Sequence, residues 1–138
     1  MKTIIAPTDF SAVSLNAVNY AADMAQDINA ELILMHTDNF FISTSDVLPV
    51  PAIDYAQTYG AEQLENLRQQ LIKRTNKKIN IQTHNVRGIV FSEIKKICNS
   101  EQPFVVVMAT HSPSAIERLV MHSVTLYTAK HSGYPVLE

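Results

Sequence analysis

Three short runs of the chain, residues 3–6, 31–35 and 104–109, are apolar almost without interruption. Runs of this length suit strands buried on both faces, as in a parallel sheet covered by helices. A fourth run, 79–86, alternates, with Ile79, Ile81 and Val86 among polar residues. It predicts a strand nearer one edge. A fifth, 134–137, is cut short by the end of the chain. Between them the period changes to three and four. Over 14–28, Leu15, Val18, Ala21, Ala22, Ala25 and Ile28 form one helical face, and Ser11 is placed to cap it. A second helix is predicted over 54–75, with Ala61, Leu64, Leu67, Leu71 and Ile72 as its stripe. Asp54 and Gln57 have capping-box spacing there, and Gly60 weakens the first turns. A third helix, 89–99, buries Val90, Ile94 and Ile97; a fourth, 114–130, opens with Ser114 and Glu117 at capping-box spacing.

Strand and helix therefore alternate through the chain. This order predicts an α/β fold: a five-stranded parallel sheet with helices on both faces and right-handed crossovers. Ligands of such sheets bind beyond the carboxyl ends of the strands, where the strand order reverses. That directs attention to loops 7–11, 36–54 and 110–114. The middle loop is long and carries Phe40, Phe41, Pro49 and Pro51. A lid or partner surface and irregular packing over the sheet edge both fit it.

Length and composition narrow the function. The 138 residues fit one domain, 1–138, whose last strand is truncated or continued in a longer protein. With 46% hydrophobic and 17% charged residues the balance is globular, and a net charge of −2 gives no general affinity for nucleic acid or anionic membrane. There is no apolar stretch near the roughly 18 residues of a membrane span and no signal-peptide pattern, so the cytoplasm is the expected location. The single cysteine, Cys98, cannot form an internal disulfide and reads as a half-buried packing residue. The five histidines, His36, His84, His111, His122 and His131, lack metal-ligand spacing. On a continuous helix, His122 and His131 would be turned about 900° apart, onto opposite sides. Lys73, Arg74, Lys77 and Lys78 sit where they offset a helix dipole. Glycine occurs only at 60, 88 and 133, which excludes Rossmann and Walker fingerprints. No Gly-x-Ser-x-Gly elbow is present.

Several segments together resemble the universal stress protein family. They are Lys-Thr-Ile-Ile-Ala-Pro-Thr-Asp-Phe-Ser (2–11), Leu-Met-His (34–36), Val-Met-Ala-Thr-His (107–111), Glu-Arg-Leu (117–119), Ser-Val (123–124) and Pro-Val-Leu (135–137). The resemblance spans nearly the whole chain. It implies a flavodoxin- or Rossmann-like three-layer sandwich of the adenine nucleotide alpha hydrolase kind. It also implies a homodimer, or pairing with a second domain of the same family in a tandem protein. Many members bind ATP through Gly-x2-Gly-x9-Gly-(Ser/Thr) after the fourth strand, where glycines let backbone approach phosphate. At those positions this chain has Ala109, Ser112 and His122, and the terminal hydroxyl is Ser123. The candidate nucleotide residues that the resemblance carries over are Pro7, Thr8, Asp9, Thr37, Met108, Ala109, His111, Ser112, His122, Ser123 and Val124. Asp9 matches the family's acidic residue near base and ribose, and a local turn or helix cap explains it equally well. Surface or packing roles account for His111 and His122; the other reading that the resemblance leaves open is a pair flanking the phosphate position that holds an anion when protonated.

The leading reading is a regulatory stress-response module with a degenerate nucleotide site, acting by binding and dimerisation without turnover. The alternative is an ATP-binding member with weak or slow hydrolysis. No cofactor is required by the residues themselves, and ATP is the one the resemblance leaves open. An electron carrier on the same scaffold is a third reading. A purified protein without visible absorbance disposes of a bound flavin; a yellow preparation would revive it.

Overall fold

The computed structural model describes residues 1–38, 50–109 and 133–137, with residues 50–58 described by backbone alone. The strands are β1 (Thr3–Pro7), β2 (Glu31–Asp38), β3 (Ile81–Arg87), β4 (Val105–Val107) and β5 (Val136–Leu137). The helices are α1 (Ala12–Ile28), α2 (Val50–Arg74) and α3 (Val90–Glu101). All pairings are parallel, in the order β3-β2-β1-β4-β5, so the alternating strand is indeed an edge. The order reverses beside β1, between β2 and β4. Helices cover both faces, which gives the expected three layers.

Side chains on a strand point alternately to its two faces, and the core divides accordingly. Ile4, Ala6, Leu32, Leu34, Val105 and Val107 turn to α1 and α2. Ile5, Ile33, Met35, Val106 and Met108 turn to the other face, where Ile94, Ile97 and Cys98 of α3 meet them. Most of these side chains are fully buried. Continuous apolar runs in the sequence are the direct consequence of filling both layers.

The α1 helix starts where Ser11 Oγ accepts from the Ser14 N–H at 3.2 Å, as its sequence predicts. Val18, Ala21, Ala22 and Ala25 form its buried face, and small residues let the helix lie close to β1. It ends at Asn29, whose left-handed φ of 57° turns the chain into β2. The α2 helix departs from its sequence reading. It is already helical at Val50, so Asp54 lies inside the helix and not at its start. Its stripe keeps Leu64, Leu67 and Leu71, but Ala61 is exposed and Gly60 is buried. Four residues back from Leu64 is Gly60, so the helical period places the glycine inward and the alanine outward. At the far end, Arg74 makes a two-pronged pair with Asp23 of α1, both distances 2.9 Å. That pairing holds the Asp23 carboxyl below its usual range. Both groups are about half exposed, so the bridge adds little to stability.

The strand bounds shift from the predicted runs, with most consequence for the site at β2 and β4. β2 extends to Asp38 and takes His36, Thr37 and Asp38 out of the predicted loop. β4 pairs only over Val105–Val107; Phe104 is 44% exposed, while Met108 and Ala109 are buried beyond the ladder. The predicted fourth helix and the loop residues Phe40, Phe41 and Pro49 lie outside the described residues.

Cys98 is fully buried between α3 and the sheet, not half-buried. Burial pushes its thiol up to about 11, away from the reactive thiolate. Native protein at pH 8 should therefore resist an aromatic disulfide reagent. Labelling should rise along the urea unfolding curve. Rapid labelling without denaturant would show the α3 layer to be open.

Candidate functional site

The loop between β1 and α1 is built by short polar side chains hydrogen-bonding to nearby backbone. Its first anchor is the Thr8 N–H, which donates to the Met35 carbonyl at 2.8 Å and ties the loop to β2. Thr8 Oγ1, buried, accepts from the Phe10 N–H at 3.0 Å and from the Ser14 hydroxyl. Ser14 Oγ in turn accepts from the Asp9 N–H at 3.2 Å. Asp9 Oδ1 accepts from the Ser11 N–H at 2.9 Å, an Asx turn. Phe10 sits at a φ of 65°. The expected turn-forming role of Asp9 is thus realised, while its side chain remains at the carboxyl ends of the strands.

Pro7, Thr8 and Asp9 meet Thr37 of β2 and Met108 beyond β4 around one cleft of about 50 Å³. Five of the sequence-predicted residues therefore come together at the point where the strand order reverses. Met35 and Val90 complete the lining. Both are absent from the predicted set. Met35 could have been found from the two-residue period, since it shares a sheet face with Thr37. Val90 needs the start of α3 and the crossover of that helix to the same face. Ala109 does not join the cleft. It follows Met108 by one residue, faces the opposite layer, and lines a groove beside Val13, Ala17 and Tyr20 of α1. His111, Ser112, His122, Ser123 and Val124 lie outside the described residues.

The cleft has an apolar floor of Pro7, Met35, Val90 and Met108, two hydroxyl residues, and one ionisable group, Asp9. A carboxylate accepts hydrogen bonds and repels phosphate, so this half suits a hydroxyl-bearing, flat apolar ligand more than an anion. Ligand pockets ordinarily enclose roughly 300 Å³ or more; the described lining forms a floor and not a complete pocket. None of the described lining residues is a histidine, lysine or cysteine that could act as base or nucleophile. Among the described residues no group of three or more His, Cys, Asp or Glu is placed to hold a metal. No helix among them is long and apolar enough to cross a membrane.

On the opposite side of the β2 terminus lies a second polar cluster that sequence reasoning missed. His36 and Asp38 point to the α2 layer, and Asn85 of β3 is the register partner of His36. His36 Nδ1 is 2.8 Å from Asn85 Oδ1 and 3.3 Å from Asp38 Oδ1, and Asn85 Nδ2 donates to Asp38 Oδ2 at 3.1 Å. Gly60 passes directly over this cluster. A Cβ there would come within 2.8 Å of Asn85 Oδ1 and 3.0 Å of Asp38 Oδ1 and His36 Nδ1. Gly60 is therefore a close-approach glycine, which explains its burial in mid-helix.

Residues 1–137 match the model of the Universal stress protein family. A universal stress protein of Methanocaldococcus jannaschii is 27% identical over 141 residues, covering 99% of this chain and 80% of the relative. The crystal structure of a family protein from Burkholderia pseudomallei has a TM-score of 0.77 at 20% identity, covering 99% of this chain and 93% of that one. A universal stress protein crystallised in complex with cAMP has a TM-score of 0.70 at 21% identity, covering 99% of this chain and 94% of that one. These structures share the flavodoxin-like α/β fold.

Thr8→Val removes the acceptor for both the Phe10 N–H and the Ser14 hydroxyl. Chemical denaturation should show a loss of roughly 1–2 kcal/mol. An unchanged midpoint would mean that water replaces the threonine at no cost.

Proposed function

The chain belongs to the universal stress protein family, and from that premise we propose that it is a regulatory binding module for an adenine nucleotide, with a degenerate phosphate side and no turnover. The observation that carries this reading is an asymmetry. Pro7, Thr8, Asp9, Thr37 and Met108 surround a cleft with an apolar floor and a hydroxyl-accepting rim. The positions that would bring backbone against phosphate carry Ala109, Ser112 and His122 instead of glycine. A nucleoside keeps its partners, and the β- and γ-phosphates lose theirs.

The relative crystallised with cAMP supports an adenine nucleotide as the ligand class. In this proposal Asp9 accepts from ribose hydroxyls, and Met35, Val90 and Met108 pack on the base. For the ribose-phosphate the proposal takes Ser123 and Val124, with His111 and His122, from the family resemblance alone. The module works in the cytoplasm as a homodimer or beside a second domain of its own kind, and its output is a nucleotide-dependent contact with that partner. The alternative, ATP binding with slow hydrolysis, draws on the same Asp9-lined cleft and differs in what the phosphates contribute.

Calorimetry of the nucleotide-stripped protein with AMP, cAMP and ATP–Mg²⁺ separates the two. The proposal expects AMP and ATP to bind with affinities within about threefold of each other, a difference well under 1.4 kcal/mol, and no phosphate release. ATP binding ten times tighter than AMP, or steady phosphate release, would establish the alternative.

A further inference from the structure

The β1–α1 loop is supported from below as well as knitted from within. Asp9 borders the cleft on the α3 side of the sheet, whereas Phe10, the next residue, packs into the α1–α2 layer. There its ring lies against the imidazole of His36, centroids 4.7 Å apart and planes inclined by 33°. Phe10 holds a φ of 65°, in the left-handed region that bulky side chains avoid. The Thr8 and Asp9 side chains hold that backbone from within the loop, and the ring contact holds its side chain from outside.

The imidazole is itself fixed. Asn85 Nδ2 donates to Asp38 Oδ2, which sets the amide orientation and leaves Asn85 Oδ1 as an acceptor toward His36. Asp38 Oδ1 is the other neighbour of the same ring nitrogen. Both neighbours are acceptors, so Nδ1 carries the hydrogen and the ring plane is determined. Asp38 is 6% exposed and His36 17%, with Gly60 of α2 closing the cluster from above. An oriented, largely buried ring thus meets the one residue of the loop that needs support.

The geometry points to His36 as a positioning residue: held by Asn85 and Asp38, it seats Phe10 and so fixes the turn that presents Asp9 to the cleft. His36 reaches the ligand only through the loop. Neighbouring residues of β2 divide the work, with Thr37 lining the cleft and His36 supporting its rim from the opposite face. The inference rests on the proposed nucleotide reading only for its affinity consequence; the support of the loop stands apart from any ligand.

The test uses His36→Asn, which keeps a nitrogen donor toward Asn85 and Asp38 but removes the ring. It is paired with Phe10→Leu, which removes the ring from the other side, and with the double variant. Amide hydrogen exchange of Asp9, Phe10 and Ser11 is measured by NMR, alongside AMP affinity. Each single variant should raise exchange at these amides by about tenfold, with the Thr8 amide and the centre of β2 unchanged. The double variant should add little more, because both remove the same contact. AMP affinity should fall in parallel. Ile97→Val, on the far side of the sheet, serves as a destabilised control and should leave the loop amides alone. Unchanged loop exchange in both single variants, full additivity in the double, or an equal rise in the Ile97→Val control would each overturn the proposal. If wild-type protein binds no AMP while the loop amides respond as expected, the nucleotide reading falls and the positioning role of His36 stands.

Discussion

A strand buried on both faces has only two directions for its side chains, and that constraint governs this molecule. Along β2, Leu32 and Leu34 fill one layer and Ile33 and Met35 the other. The same alternation runs on past the core to the carboxyl end. There it sends Thr37 into the cleft and His36 and Asp38 to the α2 layer, with the His36 ring against Phe10 of the β1–α1 loop. Beyond β4 it separates Met108, in the cleft, from Ala109, in the groove beside α1. The site is therefore the continuation of the core pattern at the point where side chains stop being apolar.

The cleft follows from the order of the strands. Between β2 and β4, on either side of β1, the crossovers leave in opposite directions, and the chain ends of three strands open together. Thr8 closes the geometry by bonding across to Met35 and back to Phe10 and Ser14. The result is a hydrogen-bonded rim carrying one carboxylate over an apolar floor. Such a lining is what the proposed reading draws on, since a carboxylate beside an apolar floor suits a hydroxyl-bearing, flat ligand more than a polyphosphate.

Much of this was legible in the sequence. The unbroken apolar runs gave the doubly buried strands, the alternation of 79–86 gave the edge, and Ser11 gave the α1 cap. Five cleft residues came from the family resemblance. The misses have physical causes. Gly60 reads locally as a helix weakener, because the polar cluster that requires its missing Cβ is assembled from β2 and β3, more than twenty residues away on either side. Ala61 was placed inward by hydrophobicity, although the period set by Leu64, Leu67 and Leu71 turns it out. Asp54 has the spacing of a cap, yet the helix was already under way by Val50. Nothing in the sequence groups His36, Asp38 and Asn85, since register alone brings Asn85 beside His36.

In the proposed reading the ligand site is the cleft at the carboxyl ends of β1, β2 and β4. The most direct test is an NMR titration of the isotopically labelled protein with adenosine. Shift changes should cluster on Thr8, Asp9, Thr37, Val90 and the Met35 and Met108 methyls. Changes centred instead on Val13, Ala17, Tyr20 and Ala109, or none at millimolar ligand, would contradict it.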